Sequence, residues 1–252
     1  MGFRAFVAQT FGDEGRTWLD ALPSLQQELA RRWILSLGPE LPGGLLSSVR
    51  EATTADGEPA VLKIGAPWPR SRDEIAALRA WSRGGGPDVL RCDEDAHALL
   101  LERIAPGTNA DPGGPADVAT VLQAIHVPPP AGLPALAATV ARRIDRAEDE
   151  GRANAERIAW ARATAARLLE SAPAPVLLHG DFDDRNLLEC SQRGLRAIDP
   201  LPCVGDPAYD AGYWVHAHRR PGRRARLEGI VAATGLPTER VRDWAGVIAV
   251  HG

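Results

Sequence analysis

Between His179 and Asp210 the sequence reads His-Gly-Asp-Phe-Asp-Asp-Arg-Asn-Leu-Leu, then Ala-Ile-Asp-Pro, then Gly-Asp-Pro-Ala-Tyr-Asp. Asp181 and Asn186 lie on a polar, turn-prone loop after the apolar run Val176-Leu177-Leu178, which reads as a short buried strand. Leu187-Leu188 and Arg196-Ala197-Ile198 can pair as a hairpin that returns Asp199 to the same loop. One carboxylate, one amide and a second carboxylate are what phosphoryl transfer requires. The first orients a hydroxyl and accepts its proton, while the other two hold magnesium against nucleotide phosphates. Asp181, Asp183, Asp184, Glu189, Asp199, Asp206 and Asp210 oppose only Arg185, Arg193 and Arg196 here, and a bound divalent cation commonly relieves such crowding. An ordinary solvated acidic loop needs no such spacing. The pattern His-x-Asp-x4-Asn, followed by an apolar-Asp-Pro strand end, gives each residue a mechanical role.

This chemistry needs elements that deliver a cation to the same phosphates. Of the 29 basic residues only Lys63 is lysine, and it sits in the strand-like run Ala60-Val61-Leu62-Lys63-Ile64. Asp56-Gly57 predicts a two-residue hairpin turn joining Val49–Thr54 to Glu58–Ile64. Ser71-Arg72-Asp73-Glu74, followed by apolar residues at helical spacing, predicts a capped helix. In a kinase lobe Glu74 of that helix pairs with the lysine; the competing reading makes Glu74 the capping-box partner of Ser71. Upstream, Pro42-Gly43-Gly44 and Ser47-Ser48 open a glycine-rich hairpin whose Gly43, Gly44, Ser47 and Ser48 could approach phosphates. A plain turn between helix and strand explains the same glycines.

Elsewhere the periodicity predicts a helix over 22–35 with Pro23 in its first turn and Gly38-Pro39 as its stop. Residues 89–92 and 97–103 read as a further hairpin, with His97 structural. A hinge follows at Glu102–Pro106, where the backbone at Glu102 and Ile104 could meet a purine edge. Helices are expected over 116–126, 133–150, 152–171, 207–218, 223–234 and 237–250.

The chain has 252 residues, 44% hydrophobic and 25% charged, which is globular composition. A net charge of −4 with no basic stripe argues against nucleic acid. No apolar run reaches a membrane-spanning length, and no export signal is read at the N-terminus. Cys92, Cys190 and Cys203 are odd in number without a C-x-x-C pair, which suits a reducing cytoplasm.

With these residues in hand, the chain resembles the aminoglycoside phosphotransferase superfamily, in the branch of streptomycin 6-kinases and hydroxyurea-resistance kinases. Ala60–Lys63, Glu74–Arg79, Leu99–Gly107, His179–Leu188 and Ala197–Asp210 carry the likeness. The resemblance implies an α+β, two-lobed protein-kinase-like fold, with a small antiparallel-sheet N-lobe over 1–103 and a mainly helical C-lobe over 104–252. It implies ATP and Mg2+ as cofactors, with Lys63 on the α- and β-phosphates, Glu74 fixing Lys63, Asp181 as base, and Asn186 and Asp199 as metal ligands. His179, Asp206 and Asp210 would brace the site. Relatives commonly carry small residues or histidine where this chain has Asp183-Asp184-Arg185, and often lysine where it has Leu201; they are also expected to run beyond its last helix.

The expected partners are a nucleotide and a small-molecule acceptor, with no oligomeric state implied. Asp183 and Asp184 read as surplus acids for a cationic acceptor such as streptomycin, with neutral hydroxyurea as the rival. A nucleotide-binding pseudokinase would usually lack one of Lys63, Asp181, Asn186 and Asp199, all present here. A metal hydrolase built on His179, Asp181, Asp199, His216 and His218 lacks a ligand set with suitable spacing.

Overall fold

The computed structural model describes residues 2–42, 44–66, 71–109, 114–217 and 222–251. The chain divides into two compact units, one comprising Met1–Ser82 with Pro87–Ile104, the other Arg83–Gly86 with Ala105–Gly252. No described helix is long and apolar enough to cross a membrane.

The first unit runs α1 (Phe3–Trp33), β1 (Ser36–Glu40), β2 (Ser47–Thr53), β3 (Pro59–Gly65), α2 (Ser71–Trp81), β4 (Val89–Asp93) and β5 (Ala98–Glu102). Its strands form one antiparallel sheet in the order β1-β2-β3-β5-β4. Alternation assigns the faces. Ala52, Ala60, Leu62, Ile64, Ala98 and Leu100 share a buried core with Leu22 and Leu29 of α1. Lys63, paired with Val49 and Leu99, points to the opposite face.

Three local expectations change. The helix does not start near Leu22: α1 begins at Phe3, is interrupted at Gly12 (φ 57°, ψ −130°), and carries Pro23 in its interior. Gly15, Leu19, Leu22, Gln26 and Leu29 recur at spacings of three and four on its buried face, but the break at Gly12 resets the phase and hides the first segment. The helix ends at Ile34, and Gly38-Pro39 lie in β1, an edge strand with an irregular register where a missing N–H is tolerated. The hairpin at Asp56-Gly57 has a three-residue loop, closed by Thr54 N–H on Glu58 O (3.0 Å), with Gly57 at φ 83°.

The second unit contains β6 (Pro106–Asn109), α3 (Pro115–Ile125), α4 (Leu136–Asp149), α5 (Ala155–Glu170), β7 (Val176–Leu178), β8 (Leu187–Cys190), β9 (Gly194–Ala197), β10 (Cys203–Gly205), α6 (Ala208–Ala217), α7 (Arg223–Thr234) and α8 (Thr238–His251). The expected helices are present with ends shifted by a few residues. α5, for example, starts only after Asn154, whose side chain caps Arg157 N–H at 2.9 Å. Two small sheets, β6-β8-β9 and β7-β10, frame the loop of interest, and Leu187 pairs with Ala197 in the expected hairpin. Trp214, Trp244, Tyr209 and Phe182 are almost fully buried in this unit.

Candidate active site

In the first unit β3 presents Lys63 with its side chain buried, and the ammonium meets the Glu74 carboxylate of α2. Glu74 therefore reaches the lysine, while the Ser71 hydroxyl lies 2.6 Å from His97 Nδ1. Strand parity separates the two serines. Ser47 lies on the face of Lys63 and beside Gly44. Ser48 is on the α1 face, where its oxygen accepts from Gln26 Nε2 at 2.9 Å. It is a buried bridge to the helix, which corrects its expected place among phosphate-facing groups. Gly43 lies outside the described residues. Glu102 ends β5 with its N–H on Asp88 O (2.9 Å), and Ile104 is the buried last residue of this unit.

In the second unit the loop after β7 is irregular, so its shape depends on ties from elsewhere. Gly180 takes φ 76°, and a Cβ there would collide with the Leu201 carbonyl. Asp210, fully buried in α6, accepts the N–H groups of His179 (2.8 Å) and Gly180 (3.0 Å) and faces His126 Nε2 at 3.1 Å. Burial would raise the Asp210 pKa, but the His126 contact and the histidine and backbone donors outweigh it, so the pKa is lowered. His179 Nε2 lies 2.9 Å from Ile198 O, and its Nδ1 is 3.3 Å from Asp181 N–H. Since Nδ1 must accept and Nε2 must donate, the ring is neutral with its proton on Nε2. Full burial lowers its pKa in agreement.

These ties bring Asp199 to the loop. Ile198 N–H bonds Asn186 O, Ile198 O meets His179, and Leu201 N–H bonds His179 O, each at 2.9 Å. Between them Asp199 adopts φ 55°, a left-handed conformation that is uncommon for non-glycine residues and that Asp tolerates better than most. Asn186 Nδ2 donates to Asp181 O (2.8 Å) and Asp181 Oδ2 (3.2 Å), which leaves its amide oxygen as the outward acceptor. The Asn186 amide oxygen and the Asp199 carboxylate are hard oxygens, the kind of ligand that suits magnesium. Among the described residues no group of three or more His, Cys, Asp or Glu could cage a metal.

Asp183 and Asp184 do not form an open acidic mouth. Asp183 is buried, capping Arg185 N–H at 2.8 Å and pairing with the Arg185 guanidinium at 3.0 Å. Asp184 pairs at 3.3 Å with Arg226, itself fully buried and stacked 3.6 Å over Trp214. Asp184 is paired inside the protein, while Asp183 is held by the exposed Arg185 of the same turn. Asp206 is likewise internal: it accepts from Arg240 Nε (2.6 Å), Trp244 Nε1 (2.5 Å) and Ala208 N–H (3.0 Å), which pins the start of α6 to α8.

Sequence reasoning passed over Tyr213 and Arg143. The Tyr213 hydroxyl donates to Asp181 Oδ1 at 2.5 Å, and Arg143 of α4 donates to Gly180 O (2.8 Å) and Tyr209 OH (2.7 Å). The spacing of Tyr209, Tyr213 and His216 on one side of α6 was a usable signal, but it could not say what that side faces.

The sequence profile of the aminoglycoside/hydroxyurea antibiotic resistance kinase family matches residues 32–251. The chain belongs to this family. It is a phosphotransferase that acts on a hydroxyl group. Streptomycin 6-kinase of Streptomyces glaucescens is 31% identical, with 95% of this chain and 84% of that protein covered. Hydroxyurea phosphotransferase of Kitasatospora aureofaciens is also 31% identical, with coverages of 92% and 72%. A choline/ethanolamine kinase family protein from Mesorhizobium loti superimposes with a TM-score of 0.66 at 18% identity, covering 90% of this chain and 83% of that one. As an antibiotic resistance kinase family member, the chain has the two-lobed protein-kinase-like fold: a small antiparallel sheet in one lobe and mainly helices in the other.

Proposed function

We propose that the chain transfers the γ-phosphoryl group of ATP, with magnesium, to a hydroxyl of a streptomycin-like aminoglycoside. The observation that carries the phosphotransfer reading is the arrangement of Asp181, Asn186 and Asp199 on two loops tied together by His179 and Ile198. In this reading Asp181 orients the acceptor hydroxyl and takes its proton. Lys63, held by Glu74, binds the α- and β-phosphates, with Gly44 and Ser47 beside them and the backbone near Glu102 and Ile104 on the purine. Asn186 and Asp199 would hold the magnesium, which when bound offsets the negative charge of the phosphates. The lobes would divide at 103/104, and His179, Asp206 and Asp210 hold the loop in shape.

For the acceptor, the likeness to streptomycin 6-kinase supports an aminoglycoside. Hydroxyurea is the second reading, and the pairing of Asp184 with buried Arg226 and of Asp183 with Arg185 favours it by offsetting two charges that a polycation would use. The test is purified protein with ATP and magnesium, offered each compound in turn and followed by product mass. Streptomycin phosphorylation is the expected result, and phosphorylation of hydroxyurea alone would replace the acceptor. Asn186→Ala and Asp199→Ala should each raise the magnesium concentration required, the second more because it removes a full charge.

A further inference from the structure

We propose that Tyr213 is a positioning residue that occupies Oδ1 of Asp181 and so turns Oδ2 toward the acceptor hydroxyl. This rests on the reading of Asp181 as proton acceptor. An ionised carboxylate only accepts, and a phenol has one hydrogen to give, so the 2.5 Å contact runs from Tyr213 OH to Asp181 Oδ1. Hydrogen bonds that end on an ionised carboxylate are about twice as strong as neutral ones. The other oxygen is held more loosely, with Asn186 Nδ2 at 3.2 Å. The carboxylate is therefore gripped unequally, and the stronger grip decides which oxygen is left for the acceptor.

Tyr213 is itself fixed from a second element. The Arg143 guanidinium lies 5.6 Å from its ring centre while bonding Gly180 O and Tyr209 OH. One α4 side chain thus sets the distance between α6 and the backbone that carries Asp181. A tyrosine that merely filled space would not need its hydroxyl there. Tyr209, fully buried one turn earlier, supplies the internal comparison because its hydroxyl meets Arg143.

The test uses the full chain with ATP, magnesium and whichever of streptomycin or hydroxyurea it phosphorylates. Tyr213→Phe keeps the ring, and its kcat should fall about tenfold or more while KM for ATP stays within about twofold. The loss should vanish in an Asp181→Ala background measured at single turnover. The chain has only two tyrosines, so 3-fluorotyrosine labelling gives two 19F resonances, assigned with Tyr209→Phe. Asp181→Ala should move the Tyr213 resonance and leave that of Tyr209 in place, a readout that does not depend on Tyr213→Phe folding. An unmoved Tyr213 resonance, or wild-type kcat in Tyr213→Phe, would overturn the proposal. Full activity in Asp181→Ala would instead remove the base assignment beneath it.

Discussion

The two units deliver their chemistry in opposite ways. Lys63 stands on a regular strand and Glu74 in the first turn of a regular helix, so backbone periodicity aims both, and an ion pair joins them. Asp181 and Asp199 sit on irregular backbone, with Gly180 and Asp199 both at positive φ. Irregular backbone lacks a repeating ladder, so its shape is imposed by side chains from the end of α3, from α4 and from α6: His126, Arg143, Tyr213 and the buried Asp210. The lesson is that a lysine can be aimed by secondary structure, whereas Asp181, the proposed base, is aimed by tertiary contacts. Changes around Asp181 should therefore spread further than changes around Lys63.

The sharpest way to test this contrast is at the base itself. Asp181→Asn should lower kcat by about 10²–10⁴-fold while ATP binding, followed by calorimetry, is largely kept. Wild-type turnover would remove the contrast altogether. Next comes Asp210→Ala, which strips acceptors from His179 N–H, Gly180 N–H and His126. Denaturant unfolding should show a loss of about 3–5 kcal/mol, with activity falling too, although Asp210 is fully buried and touches no reacting group. A loss below about 1 kcal/mol would mean that the loop holds its shape unaided.

For the first unit, Lys63→Ala and Glu74→Ala should each reduce kcat/KM for ATP, the second less. Their double-mutant cycle should give a coupling of about 0.5–3 kcal/mol. Simple additivity would show that the pair does not act as one. The smallest effect is in acid. His179 has a lowered pKa in the folded state, so below the unfolded-state value near 6.5 only the unfolded chain takes up that proton. Stability should then fall as pH drops from about 6.5, by up to roughly 1.4 kcal/mol per pH unit from this group. Asp210, also lowered, adds its own loss only as pH falls below about 4. A flat unfolding free energy between pH 7 and 5 would count against a neutral buried His179.

The sequence by itself determined the chemical set and much of the frame. A solitary lysine on an apolar strand, a glutamate eleven residues later, and the His-x-Asp-x4-Asn spacing are local patterns, and local patterns survive without a structure. The β8–β9 hairpin and the C-terminal helices were legible for the same reason. Two helical segments joined through Gly12 were not, because a backbone break erases periodicity. Ser47 and Ser48 looked equivalent until register placed them on opposite faces of one sheet. Asp184 looked like open charge because its partner Arg226 lies far along the chain, whereas the partner of Asp183 is Arg185, two residues away. The spacing of Tyr213 marked a helix side but not what that side faces. Its link to Asp181 exists only because Arg143 and Asp210 bring α4, α6 and the loop together. Residue types and spacing chose the reaction class; which oxygen is held, and by what, was decided by contacts between segments distant in sequence.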